Sequence, residues 1–105
     1  MARWETHKTD GNAKRLYAYA EALGMSVAIL NRPVDAAVGF QGITALVEVK
    51  QPKEHLRANQ LAFLDGWRGL WAVWRDETDV DSLRHLMFCL AANTHLLGTK
   101  DLSKP

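Results

Sequence analysis

Two periods of apolar spacing alternate along the chain. Leu16, Ala20 and Leu23 recur at intervals of four and three, which predicts a helix capped by Asp10 or Asn12 and running to about Leu23, where Gly24 ends it. Met25 to Leu30 reads as a strand, and Asn31-Arg32-Pro33 as a break. Val34 to Phe40 and Ile43 to Lys50 then form two strands across Gln41-Gly42, a two-residue loop with glycine in its second position. Pro52 stops the second of these. A helix from about Leu56 to Asp65 follows, then a short buried strand from Leu70 to Trp74. Asp79 caps a last helix whose inward stripe is Val80, Leu83, Met87, Leu90 and Ala91, and the tail from Gly98 to Pro105 reads as frayed.

The predicted order is helix, three-strand meander, helix, strand, helix. The helix between the third and fourth strands allows the last strand to return parallel to its neighbour through a right-handed crossover. The fold class is therefore α/β, a mixed β-sheet with flanking helices.

At 105 residues the chain has room for one core, so a single domain over residues 1–105, with its core at about 9–97, is the starting point. Burial in so short a chain is limited, and a homodimer would hide further apolar surface. No apolar run approaches the length of a bilayer span, and the N-terminus lacks the apolar core of a signal peptide, so the expected location is cytoplasmic. A net charge of +1 does not announce a nucleic-acid binder, which leaves local clusters to carry any such case: Lys50, Lys53 and Arg57, and Lys8, Lys14 and Arg15. Cys89 is alone and is read as packing. His7, His55, His85 and His95 are scattered without metal-ligand spacing. Trp67, Trp71 and Trp74 surround the fourth strand, where core packing, a dimer interface and base stacking are all open.

The hairpin carries the chemistry. If Phe40 lies opposite Ile43, the residue numbers of every opposed pair share one sum, and Asp35 falls opposite Glu48. Alternation puts Lys50 on the face of Glu48, with Ala37 and Gly39 leaving space, while Ala36, Val38, Phe40, Ala45, Val47 and Val49 fill the other face. Two carboxylates about 5 Å apart repel by about 3 kcal/mol at an effective dielectric of 20. Bound Mg²⁺ or Mn²⁺, hard cations that prefer oxygen, resolves that repulsion, and the Val49 carbonyl is placed as an extra ligand. The chemistry such a site supports is metal-assisted phosphodiester hydrolysis, with Lys50 orienting water or stabilising charge on the phosphate. The plainer alternative is an exposed Glu48/Lys50 pair on a solvated strand with Asp35 in a turn.

The wider string, Val34 to Phe40, Leu46-Val47-Glu48-Val49-Lys50, Asn59-Gln60 and Trp67-Arg68-Gly69, resembles small phage and bacterial nucleases of the VRR-NUC branch of the PD-(D/E)XK superfamily, over about Thr9 to Leu83. The resemblance implies a restriction-endonuclease-like fold, metal binding by Asp35 and Glu48, Lys50 as catalytic lysine and Gln60 as a supporting residue. Asp10 and Asn12 resemble the polar pair that opens the first helix in related phage proteins; as plain caps they need no such role. The chain departs from the pattern at Val34, where proline is expected and Pro33 stands one place earlier. It departs again on the first helix, where the glutamate of many relatives has no clear match, Ala13 lying near its place and Glu21 a helical distance away.

The expected activity is a Mg²⁺- or Mn²⁺-dependent DNA endonuclease with little sequence specificity, in a bacterial or phage-infected cell. Resemblance implies selectivity for branched DNA such as four-way junctions, which suits a homodimer. Lys14, Lys53 and Arg57 are the candidate backbone contacts. The rival reading is a non-catalytic DNA-binding or phage-assembly protein on the same scaffold. An RNA nuclease differs only in substrate, and nothing in the sequence reads a 2′-hydroxyl.

Overall fold

The computed structural model describes residues 11–93. They form α1 (Gly11–Ala22), β1 (Ser26–Ile29), β2 (Ala36–Phe40), β3 (Ile43–Val49), α2 (Ala58–Asp65), β4 (Leu70–Trp74) and α3 (Glu77–Asn93). The four strands make one mixed sheet in the order β1-β2-β3-β4. The first three run as an antiparallel meander, and β4 joins β3 in parallel after the α2 crossover. This is the α/β arrangement the hydropathy pattern predicts. The His7, Lys8, Asp10, His95 and tail expectations fall outside the described residues.

The β2–β3 turn explains the register. Gln41 and Gly42 both lie in the left-handed region, at φ 52° and 84°, as a two-residue hairpin loop requires. Phe40 therefore pairs with Ile43 and Ala36 with Val47, as the residue-number rule requires.

Alternation sorts the sheet into two unlike faces. Ala36, Val38, Phe40, Ala45, Val47 and Trp74 lie on one face and form the main core with Leu16, Ala20, Val80, Leu83 and Met87 from α1 and α3. Among the described residues the opposite face is covered only by α2, where Leu64 packs on Leu46 and Val34. An eight-residue helix cannot cover four strands. Beyond it this face carries Ser26, Ala28, Gly39 and Thr44, all small and none of them buried.

The end of α1 is a local device. The Met25 N–H donates to the Ala20 carbonyl at 3.1 Å and the Gly24 N–H to the Glu21 carbonyl at 3.0 Å, with Gly24 at φ 89°. This pairing satisfies carbonyls the helix leaves open, and it needs a residue that tolerates positive φ. A Cβ on Gly24 would meet only Phe40 Cε1, at 3.7 Å, so the cost of substitution is conformational and not steric. Gly24→Ala is expected to lower stability by about 1 kcal/mol, read as a lower denaturant midpoint with an unchanged slope.

Several boundaries differ from the sequence expectation. Asn12 lies inside the first turn of α1 and is buried, so it is not a cap. Asp76 caps α3: its Oδ1 accepts from the Asp79 N–H at 3.2 Å, while Asp79 Oδ2 accepts from the Arg75 N–H at 2.7 Å. With Asp76 as the cap, the helix starts at Glu77. α2 begins at Ala58, because Arg57 is still extended at ψ 160°. Leu90 and Ala91 at the end of α3 are only partly buried. Trp74 is fully buried, whereas Trp67 is exposed and stacks on Phe63 at 5.9 Å. Cys89 is half-buried, with its Sγ 3.7 Å from His85 Nε2.

Candidate active site

Among the described residues only three polar or charged ones are buried: Asn12, Glu48 and Lys50. All three meet at the carboxyl end of β3. Glu48 and Lys50 arrive there by alternation on the sheet face that α2 covers, and both are 4% exposed, so the reading of a solvated surface pair is excluded.

Glu48 is held from three directions. Its Oε1 accepts from the Asp35 backbone N–H at 3.1 Å, and its Oε2 from Gln60 Nε2 at 2.6 Å, with Lys50 Nζ 3.4 Å from the same oxygen. Asp35 precedes β2 and faces it in return: Asp35 Oδ2 accepts from the Val49 N–H at 2.8 Å. The Lys50 N–H instead bonds the Trp74 carbonyl of β4, at 3.0 Å. Val49 therefore turns its backbone groups toward Asp35, because N–H and C=O of one strand residue leave by the same edge. The two carboxylates and the Val49 backbone thus converge as the hairpin register requires.

Lys50 is anchored from two other segments, one through Asn12 and one through Glu54. Its carbonyl, beyond the end of β3, accepts from Asn12 Nδ2 at 2.8 Å, which ties α1 to the site. Its ammonium lies 3.8 Å from Glu54 Oε2. The Glu54 turn is held by Gln51, whose N–H donates to Glu54 Oε1 at 2.9 Å, and by Arg75 Nη2, which donates to the Glu54 carbonyl at 2.8 Å. The only sequence signal for Glu54 was its place just after Pro52, in a turn of unknown direction.

Gln60 is placed by its own helix. It sits in the first turn of α2, where its Oε1 accepts from the Arg57 N–H at 3.0 Å and so aims Nε2 at Glu48. One side chain makes both the helix cap and the site contact.

The charges do not balance. Glu48 and Glu54 share one ammonium, and Asp35 adds a further negative charge beside Glu48. At 3.4 Å the Lys50–Glu48 attraction is about 5 kcal/mol at an effective dielectric of about 20, while removing each ion from water costs several kcal/mol. Burial wins. The Glu48 carboxyl is held above the ordinary carboxylate range, first by desolvation and then by the charge of Asp35, with Lys50 offsetting part of this. A group that cannot comfortably carry its charge alone is one that a cation would complete.

The remaining candidates separate. Lys14, Lys53 and Arg57 are exposed, so each is free to meet a ligand from solvent. The basic clusters read from the sequence do not survive as such: Lys50 is buried in the site, and Arg15 is engaged by Glu77 at 2.8 Å. That pair holds the Glu77 carboxyl below its ordinary range. Ala13 is buried in the main core and Glu21 is exposed near the far end of α1, so neither occupies the place of the missing glutamate. Asp10 lies outside the described residues. His55 and His85 are exposed, and no group of three or more His, Cys, Asp and Glu side chains among the described residues is arranged to hold a metal. No described helix is long and apolar enough to cross a membrane. Comparison with protein-family models, curated proteins and solved structures gives no match.

Proposed function

We propose that the chain is a Mg²⁺- or Mn²⁺-dependent endonuclease that hydrolyses phosphodiester bonds in DNA through Asp35, Glu48 and Lys50. The observation that carries this reading is the burial of a Glu–Lys pair beside a second carboxylate, in a molecule where Asn12 is the only other buried polar residue described. Such a grouping works against stability and calls for a chemical reason.

The donor set fits a hard divalent cation. Asp35, Glu48 and the Val49 carbonyl offer oxygen alone, and a small cation that keeps several waters needs only one or two carboxylates from the protein. When bound, the cation supplies charge that polarises a phosphoryl oxygen and acidifies the attacking water. The chain's own residues do the rest. Gln60 fixes the Glu48 carboxylate and the Val49 N–H fixes that of Asp35, so neither has to be ordered when substrate arrives. Lys50 directs N–H donors at charge building on the phosphate, and Asn12 and Glu54 hold it in place. Selectivity for branched DNA and action as a homodimer extend the reading by resemblance.

One observation favours the rival, a non-catalytic DNA-binding or phage-assembly scaffold: among the described residues no group of three His, Cys, Asp or Glu side chains is arranged to hold a cation. The test that separates them is cleavage of supercoiled, linear, single-stranded and four-way-junction DNA with Mg²⁺, Mn²⁺ and chelator. The expected result is metal-dependent cutting that Lys50→Ala and Asp35→Asn both lose. A folded wild type that cuts none of these substrates would decide for the scaffold.

A further inference from the structure

A second polar feature lies next to the site. The loop between β1 and β2 and the start of α2 enclose a cleft of about 370 Å³, a volume within the range of about 300 to 1,000 Å³ typical of small-molecule sites. Arg32 and Pro33 form one wall, and Arg57, Asn59, Gln60 and Phe63 the other. Gln60 is shared: the side chain that lines the cleft is the one bonded to Glu48 at 2.6 Å. Whatever fills the cleft therefore lies one side chain away from the carboxylate pair.

The lining identifies the class of ligand. Arg32 and Arg57 come from segments 25 positions apart, both are exposed, and neither is ion-paired among the described residues. Arg15 shows the contrast, with its guanidinium matched by Glu77. Two unmatched guanidiniums on one cleft favour an anion with several oxygens, and a planar fork suits phosphate. Phe63, backed by Trp67 at 5.9 Å, adds an aromatic wall, and the Asn59 amide offers both donor and acceptor to a base edge. Phosphate, aromatic surface and amide together match one nucleotide.

We infer that this cleft seats one nucleotide of the bound strand beside the scissile phosphate, its phosphate on Arg32 and Arg57 and its base against Phe63. This rests on the nuclease reading, and adds a subsite to it with Arg32 as a member. The cleft is a binding feature, so it acts on affinity and placement and not on the bond-breaking step.

The test uses thymidine 5′-monophosphate as probe, titrated in chelator into the ¹⁵N-labelled protein at low salt. The side-chain amides of Asn59 and Gln60 are expected to shift with the nucleotide, to stay still with thymidine, and to stay still with the nucleotide in Arg32→Ala/Arg57→Ala. In cleavage assays the same double variant is expected to raise KM about tenfold with kcat nearly unchanged, and to flatten the salt dependence of DNA binding by about 1 to 2 in log–log slope. Both residues are exposed, so an unchanged melting temperature is the fold control. Unmoved amides at tens-of-millimolar nucleotide, equal shifts with thymidine, or a double variant that behaves as wild type would each overturn the subsite. A protein that cuts no DNA yet binds the nucleotide through these arginines would keep the cleft and lose the nuclease; normal KM in the double variant would do the reverse.

Discussion

Asp35→Asn is expected to reduce metal-dependent cleavage by about 10³-fold, the several kcal/mol that a bound cation contributes to such a transition state, without weakening the metal-free protein. The substitution is nearly isosteric, and an Asn Oδ1 can still accept from the Val49 N–H that Asp35 Oδ2 now holds at 2.8 Å. What it removes is the charge that, after desolvation, is the next largest cause of the raised Glu48 pKa. In chelator the variant should therefore melt at or above the wild type. With Mg²⁺ the order reverses. At a hundredfold excess over its dissociation constant a cation stabilises the wild type by about 2.7 kcal/mol, and the variant should lose most of that gain. Thermal melts of both proteins, with Mg²⁺ and with chelator, read both effects. A variant that melts well below wild type in chelator would show that Asp35 serves the fold first; one that keeps the full Mg²⁺ shift would place the cation elsewhere.

Lys50→Ala is expected to lower cleavage by about 10²- to 10³-fold, the usual loss when a preorganised donor to developing charge is deleted. It should also make stability depend on pH. A carboxyl whose folded-state pKa lies above its unfolded value contributes fully below the unfolded value, about 4.3 for Glu, and that contribution is lost as pH rises through the folded value. Glu48 is such a group. Lys50 supplies the attraction that lowers the Glu48 pKa, so its removal pushes the carboxyl further up and widens the window of loss toward neutral pH. Breaking a buried pair costs about 3 to 5 kcal/mol when the remaining charge stays ionised, and less where it can take a proton. The variant should thus be close to wild type near pH 5 and fall behind it toward pH 8 in chelator. Glu77 works in the opposite sense and in another range. Its lowered pKa contributes stability above the unfolded value that is lost as pH falls through the folded one, so it shapes only the acid limb. Denaturant titrations of both proteins from pH 5 to 8 measure the difference, and a constant gap across that range would mean that Glu48 carries no uncompensated charge.

These expectations join a site read from two strands to contacts that no strand pattern contains. The amino-acid sequence by itself determined the hairpin and everything that follows from it locally. A two-residue turn with glycine second sets which residues oppose, and a period of two sets which share a face, so the neighbourhood of Asp35, Glu48 and Lys50 follows from turn geometry and alternation alone. The element order was legible for the same reason, since helix and strand periods are local. Boundaries were less so: Asp76 and Asp79 are both residue types that cap helices, and only the bond from the Asp79 N–H to Asp76 says which one starts α3.

What the tertiary structure alone decided is the electrical state of the site and its supports. Glu48 and Lys50 are charged residues on a strand, and nothing in their spacing says that α2 will close over them and make burial the dominant influence on Glu48. Asn12 has the composition of a cap and becomes the anchor of Lys50, because α1 packs across the sheet and brings it to a carbonyl 38 residues away. Glu54 reaches Lys50 through a turn pinned by Arg75 from the end of β4. Arg32 and Arg57 meet on one cleft because the β1–β2 loop and the start of α2 lie together. Each of these depends on where distant segments come to rest, and therefore on the packing of the whole sheet against its helices, whereas the pairing of Asp35 with Glu48 depends on a single turn.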